Sequence, residues 1–147
     1  ASRFKIDERQ QTIYGHSLSG LTVVRMLFEH PDAFSRFAAS CPTIGGVEGL
    51  LPDVLAMETA FIREMGKSDV HTSLLLLWGG QERPALARDL AVLGDKVKVE
   101  TFVFPQDDHV SASLATLGRS LQRALALALP STTQDEKGPT KRSTQQP

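Results

Sequence analysis

At 147 residues the chain has the length of one ordinary domain, enough to bury a core. Hydrophobic residues at 41% and charged residues at 22% are those of a globular protein, and a net charge of −1 offers no basic surface for nucleic acid or an anionic membrane. The single cysteine, Cys41, excludes an internal disulfide framework and a cysteine-only metal cage, and no apolar run approaches the ~20 residues of a membrane span.

Ser2 to Gln11 is polar and reads as a lead-in, with Asp7 a possible cap for a short turn. Thr12, Ile13 and Tyr14 then run as a short strand into Gly15-His16-Ser17-Leu18-Ser19-Gly20. From Leu18 the apolar residues Leu21, Val24, Leu27 and Phe28 recur at helical spacing until His30-Pro31, where proline ends the helix. Phe37 to Ser40 is a second short strand, and Thr43 to Leu51 is a glycine-rich loop. Asp53 opens a helix carrying Leu55, Phe61, Ile62 and Met65, closed by Gly66. Thr72 to Trp78 is a continuous apolar run that reads as a strand buried on both faces. Pro84 to Leu93 is a helix followed by Gly94, and Lys96 to Pro105 alternates as a strand through Val97, Val99, Thr101 and Val103. Ser111 to Leu129 is a long helix with Leu114, Leu117, Leu121 and Leu125 on one stripe. Pro130 to Pro147 has no aliphatic or aromatic side chain to offset ordering entropy, and is expected to be disordered.

Strand and helix thus alternate four times, which predicts an α/β fold: a parallel sheet of four strands with helices on both faces. In such a sheet, function gathers at the carboxyl ends of the strands. Ser17, the Cys41 loop, the Gly79–Arg83 loop and the Asp107–His109 loop all fall there.

The strand–glycine–serine–helix order is the context of a nucleophile elbow, in which a strained turn lifts a serine hydroxyl above the sheet. Gly15, Ser19 and Gly20 are small enough for strand and helix to approach closely. A nucleophilic serine needs a base and a group to orient that base. His109 follows the last strand and is the candidate base. Glu82, in the loop after the leucine-rich strand, is the leading candidate acid, with Asp107 and Asp108 as alternatives. The backbone N–H of Leu18 supplies half an oxyanion hole. His16 is the variable residue of the elbow, His30 lies at a helix end and His71 at the wrong end of its strand. None has metal-ligand spacing, so no metal is expected. Cys41 lacks the basic partner that activates a thiol and reads as a small buried residue, and Trp78 as core.

The elbow with Leu21-Thr22-Val23-Val24, followed by His30-Pro31-Asp32-Ala33-Phe34 and Ala38-Ala39-Ser40-Cys41-Pro42, resembles the putative-esterase family of α/β-hydrolases. That family includes esterase D (S-formylglutathione hydrolase) and the enterochelin-type siderophore esterases. Asp7-Glu8-Arg9, Trp78-Gly79-Gly80-Gln81-Glu82 and Phe104-Pro105-Gln106-Asp107-Asp108-His109 resemble its lead-in, its Gly-x-x-Glu loop and its histidine run. The similarity extends from about Ile6 to Leu129. Two positions depart from the family: Ser19 stands for the second elbow glycine, and Thr43-Ile44-Gly45-Gly46 replaces a segment that is often aromatic in siderophore esterases.

The resemblance implies a serine hydrolase of carboxylic esters working through an acyl-enzyme. Ser17 would be nucleophile, His109 base, Glu82 orienting acid and Leu18 oxyanion donor, with no metal or organic cofactor. Within the siderophore branch the acid is sometimes dispensable. The resemblance also implies that residues 1–129 form the C-terminal part of a catalytic domain and 130–147 a tail, since nothing here corresponds to the family's strands before the elbow. An open sheet edge would then invite self-association. The alternatives are an inactive remnant and a small binding module holding a phosphate at the helix start after Gly15.

Overall fold

A computed structural model of the protein describes residue 7 and residues 10–44, 51–80 and 85–128. Four strands, β1 (Thr12–His16), β2 (Arg36–Ser40), β3 (Thr72–Gly79) and β4 (Val97–Phe104), form one parallel sheet in the order β1-β2-β3-β4. The helices are α1 (Leu18–Glu29), α2 (Leu51–Met65), α3 (Ala85–Leu90) and α4 (Ala112–Ala128), with a 3₁₀ stretch at Ala91–Lys96.

A sheet whose neighbours follow chain order, joined by right-handed crossovers, must carry every crossover helix on the same face. Accordingly α1, α2 and α3 cover one face. Leu21, Val24 and Leu27 of α1, Phe61 and Met65 of α2, and Leu86 and Leu90 of α3 join Phe37, Ala39, Leu74, Leu76 and Trp78 of the sheet in one apolar cluster. The last helix has no further strand to feed, and α4 folds back over the opposite face against β1, β2 and β3. Helices therefore lie on both faces as predicted, three on one and one on the other.

Two sequence readings shift on contact with the structure. The helix predicted from Pro84 to Leu93 is α3 ending at Leu90, after which the chain tightens into the 3₁₀ stretch, and Gly94 (φ 53°) makes the left-handed turn into β4. The leucine stripe of α4 does not face the sheet. Ala112, Thr116 and Ser120 do, all buried, while Leu114, Leu117 and Leu121 are 80%, 38% and 55% exposed. Small residues let α4 lie close to the strands, and its apolar side is turned outward. The Leu125 side chain, most of the glycine-rich loop after Thr43, and the tail from Pro130 lie outside the described residues.

The register places His16 beside Ser40 and Ser40 beside Leu77, while β3 and β4 run two residues further to the pair Gly79 and Phe104. The loops leaving all four strands therefore emerge along one rim.

Candidate active site

At that rim, Ser17 joins β1 to α1 with φ 59° and ψ −120°, a left-handed backbone that a residue with a side chain adopts only under strain. Three backbone bonds hold it there. Ser17 N donates to the Ser40 carbonyl (2.9 Å), and the Ser17 carbonyl accepts from Leu21 N (3.0 Å) and Thr43 N (3.3 Å). Close approach is enforced by glycines. A Cβ on Gly20 would stand 2.7 Å from the Ser40 carbonyl oxygen, and one on Gly15 would overlap the backbone of Ser19. What crowds Gly15 is backbone, and the Ser19 side chain itself is exposed, so a serine at the fifth elbow position costs the turn nothing.

The second loop to reach the site follows β4. Asp107 N and Gly80 N both donate to the Phe104 carbonyl (3.1 and 3.0 Å), tying this loop to the end of β3. A Cβ on Gly79 would sit 2.5 Å from the Asp108 carbonyl oxygen and 2.9 Å from Ala112 Cβ, so only glycine admits the loop. Asp108 then holds the turn that leads into α4. One of its carboxylate oxygens accepts from Val110 N (2.9 Å) and Ser111 N (2.8 Å), and its own N–H donates to Ser111 Oγ (3.0 Å). These amide bonds, Ser111 first, hold its carboxyl below the usual carboxylate range. Asp108 is engaged in holding that turn.

This anchoring brings His109 Nε2 to 2.8 Å from Ser17 Oγ, a bond between residues 92 positions apart. Thr43 Oγ1 approaches the same oxygen at 3.3 Å. The Leu18 amide is at the first helical position, where no intrahelical acceptor exists. Among the described residues, no carboxylate hydrogen-bonds the His109 ring; Glu82 lies outside them.

Sequence reasoning passed over the residues beneath this pair. The Ser40 hydroxyl donates to Thr116 Oγ1 (2.7 Å), and Thr116 Oγ1 donates to the Ser113 carbonyl (3.1 Å). Because the Ser40 proton is committed, His16 Nδ1, 2.8 Å away, is the donor to Ser40 Oγ. The Tyr14 hydroxyl joins the group, 3.0 Å from Thr116 Oγ1 and donating to Ser113 O (3.2 Å). The His16 ring stands 5.2 Å from that of His109. Burial, and then the proximity of His109, push the His16 pKa below the ordinary histidine value, against a hydrogen bond with the His109 backbone that raises it. The one legible hint was period 2, which puts Tyr14 and His16 on one face of β1.

The other histidines are elsewhere. His30 caps the end of α1 through its N–H to the Met26 carbonyl (2.8 Å), and His71 bonds the Asp95 carbonyl (3.1 Å) at the opposite end of the sheet. Cys41 is buried in a left-handed turn (φ 40°), its sulfur accepting the Gly79 N–H at 3.3 Å. Trp78 is core, as expected. No described cluster of three or more His, Cys, Asp or Glu could hold a metal ion, and no described helix is long and apolar enough to cross a membrane.

A four-stranded parallel sheet with a strained serine at a strand–helix turn, hydrogen-bonded to a histidine after the last strand, defines the α/β-hydrolase class. Comparison with known proteins places it within that class. The chain is 31% identical over 133 residues to the ferri-bacillibactin esterase BesA of Bacillus subtilis, covering 83% of this chain and 45% of BesA. Among solved structures, the BES protein of Bacillus cereus superposes with a TM-score of 0.68 at 27% identity, over 82% of this chain and 47% of that one. The siderophore hydrolase EstA of Aspergillus nidulans shares the fold, with a TM-score of 0.65 at 21% identity over 80% of this chain and 49% of EstA. No protein-family model matches. The chain is thus a homologue of siderophore esterases of the α/β-hydrolase type, and it spans about half the length of the relatives it matches.

Proposed function

We propose that the protein hydrolyses carboxylic esters through an acyl-enzyme, with Ser17 as nucleophile and His109 as general base. The observation that carries this reading is the 2.8 Å bond between Ser17 Oγ and His109 Nε2, made by a serine held at φ 59°. In acylation Ser17 Oγ bonds the acyl carbon as its proton passes to His109 Nε2, and the alcohol leaves with that proton. Water, activated by the same imidazole, then releases the acid. The Leu18 amide stabilises the oxyanion, and Glu82 orients His109. The names of the relatives support a siderophore-type ester as substrate.

The half-length match supports reading residues 1–129 as the C-terminal part of such a domain. β1 pairs only with β2 among the described strands, and this edge is the surface through which two copies would associate.

The test is covalent labelling together with turnover. The chain is mixed with a fluorophosphonate and with a fluorogenic short-chain ester, and the adduct is located by mass spectrometry. Labelling at Ser17 with ester turnover, both abolished in Ser17→Ala, is the expected result. Turnover that persists in Ser17→Ala at the wild-type rate overturns the assignment, and a chain that neither labels nor turns over favours the inactive remnant.

A further inference from the structure

Ser17 Oγ has one proton and, among the described residues, two hydrogen-bonding neighbours. The proton is directed at His109 Nε2, 2.8 Å away, as attack on an acyl carbon requires. At the 3.3 Å contact with Thr43 Oγ1, Ser17 can then only accept, so the Thr43 hydroxyl is the donor. The nucleophile therefore already receives a hydrogen bond from a side chain with no part in activating it.

Thr43 is fixed in that position. Its backbone N–H donates to the carbonyl of Ser17 itself (3.3 Å), and the chain reaches it through the left-handed turn at Cys41, which the Leu77 carbonyl and the Gly79 N–H hold in place. Its hydroxyl can rotate while its backbone N–H stays bonded to the nucleophile's own carbonyl.

We propose, resting on the esterase reading above, that Thr43 is a catalytic residue: a side-chain oxyanion donor acting with the Leu18 amide. When the Oγ–C bond forms, one Oγ lone pair is consumed, the Ser17 proton moves to His109, and the carbonyl π pair moves onto the substrate oxygen. Negative charge thus appears two bonds beyond the atom Thr43 faces at rest, on the oxygen that shares the acyl carbon with Oγ, and its hydroxyl turns from Oγ to that oxygen. On collapse the C=O reforms, the C–O bond to the alcohol breaks, and His109 returns the proton to the leaving oxygen. The donor helps only where charge develops, so it lowers the barrier without strengthening substrate binding. A hydroxyl is required at position 43, and serine can replace threonine.

The experiment compares wild type, Thr43→Val and Thr43→Ser on a short-chain p-nitrophenyl ester, with inhibition by a trifluoromethyl ketone that forms a tetrahedral adduct. Removing one oxyanion donor costs roughly 10²-fold in kcat. Thr43→Val is expected to lose kcat on that order with KM within about twofold, and to lose affinity for the ketone by the same factor as kcat/KM. Thr43→Ser is expected to stay within a few-fold of wild type, and melting temperatures are expected to agree across the three. A Val variant with wild-type kcat, or one that raises only KM, overturns the role of Thr43, as does a loss of kcat unaccompanied by weaker ketone binding. The two readings fail separately: a wild type labelled at Ser17 whose Thr43→Val variant is unimpaired removes only the donor. A wild type that neither labels nor turns over removes both.

Discussion

The two faces of the sheet are closed in opposite ways. On one, α1, α2 and α3 press Leu27, Phe61, Met65 and Leu90 onto Phe37, Leu74 and Leu76, a dry apolar contact. On the other, α4 meets β1 and β2 through hydroxyls and an imidazole, Tyr14, His16, Ser40 and Thr116, while its own leucines point away. The first face holds the sheet together. The second holds the loop that carries His109, since α4 begins three residues after it. Stability is concentrated on one side and the alignment of the candidate site on the other, and substitutions on the two faces should separate them.

The largest effect is expected on the apolar face. Leu76 is fully buried, and Leu76→Ala removes its transfer free energy and leaves a cavity, a loss of roughly 2–5 kcal/mol. Urea denaturation measures it directly. Under conditions where the variant remains folded, its kcat is expected to match wild type, because Leu76 belongs to the apolar cluster and makes no part of the hydrogen-bonded group on the other face. A large kcat defect in the folded variant would erase the distinction between the faces.

Thr116→Val tests the polar face with a side chain of nearly the same shape. Thr116 is fully buried and accepts the Ser40 proton beside the Tyr14 hydroxyl, so valine strands a buried donor at a cost of roughly 1–3 kcal/mol. The same change removes the acceptor that orients the Ser40 hydroxyl, and with it the fixed partner of His16 Nδ1 beneath His109. A kcat loss disproportionate to the fall in stability is the expected signature, and the matched comparison is Leu76→Ala.

This contrast also explains what could be read from the residues alone. Repeats such as Leu21, Val24, Leu27 and the run Leu74 to Trp78 reveal the apolar face because burial of hydrocarbon leaves a period. The placement of Ser17 and His109 followed from the same logic, each directly after a strand. The polar face leaves no such trace. His16 reads only as the variable residue of the elbow because its partners, Ser40 and Thr116, lie 24 and 100 residues downstream and hydroxyls carry no pattern. Thr43 was noticed only as a departure from an aromatic segment. The leucines of α4 show the converse, a clean helical stripe that faces away from the sheet: periodicity identifies an apolar side without saying what covers it.

A pH titration gives a smaller, directional effect. His16 has a folded pKa below its ordinary value of 6.5, chiefly through burial. Between that lowered pKa and 6.5 the unfolded chain binds more protons, so the stability contributed by neutral His16 is present above 6.5 and is lost as pH falls through the folded value. Thermal melts of wild type are expected to fall over this window more steeply than those of His16→Asn, which has no titrating ring. Parallel curves would mean that His16 is as free to ionise in the fold as in the unfolded chain.

The smallest effect on folding is expected at the outward leucines. Leu114 is 80% exposed, so Leu114→Gln removes little buried area and should change stability by no more than roughly 0.5 kcal/mol. With Leu121→Gln added, the variant loses the two most exposed of the described outward leucines of α4 while Ala112, Thr116 and Ser120 keep their places against the sheet. Sedimentation velocity over a range of concentrations then separates two surfaces available for self-association. If copies meet through the β1 edge, the double variant associates as wild type does, because backbone groups make that contact. If it dissociates while its melting temperature is retained, the leucines carry the contact and the edge reading gives way. Either result leaves the apolar face untouched, because neither the β1 edge nor the outward side of α4 belongs to it.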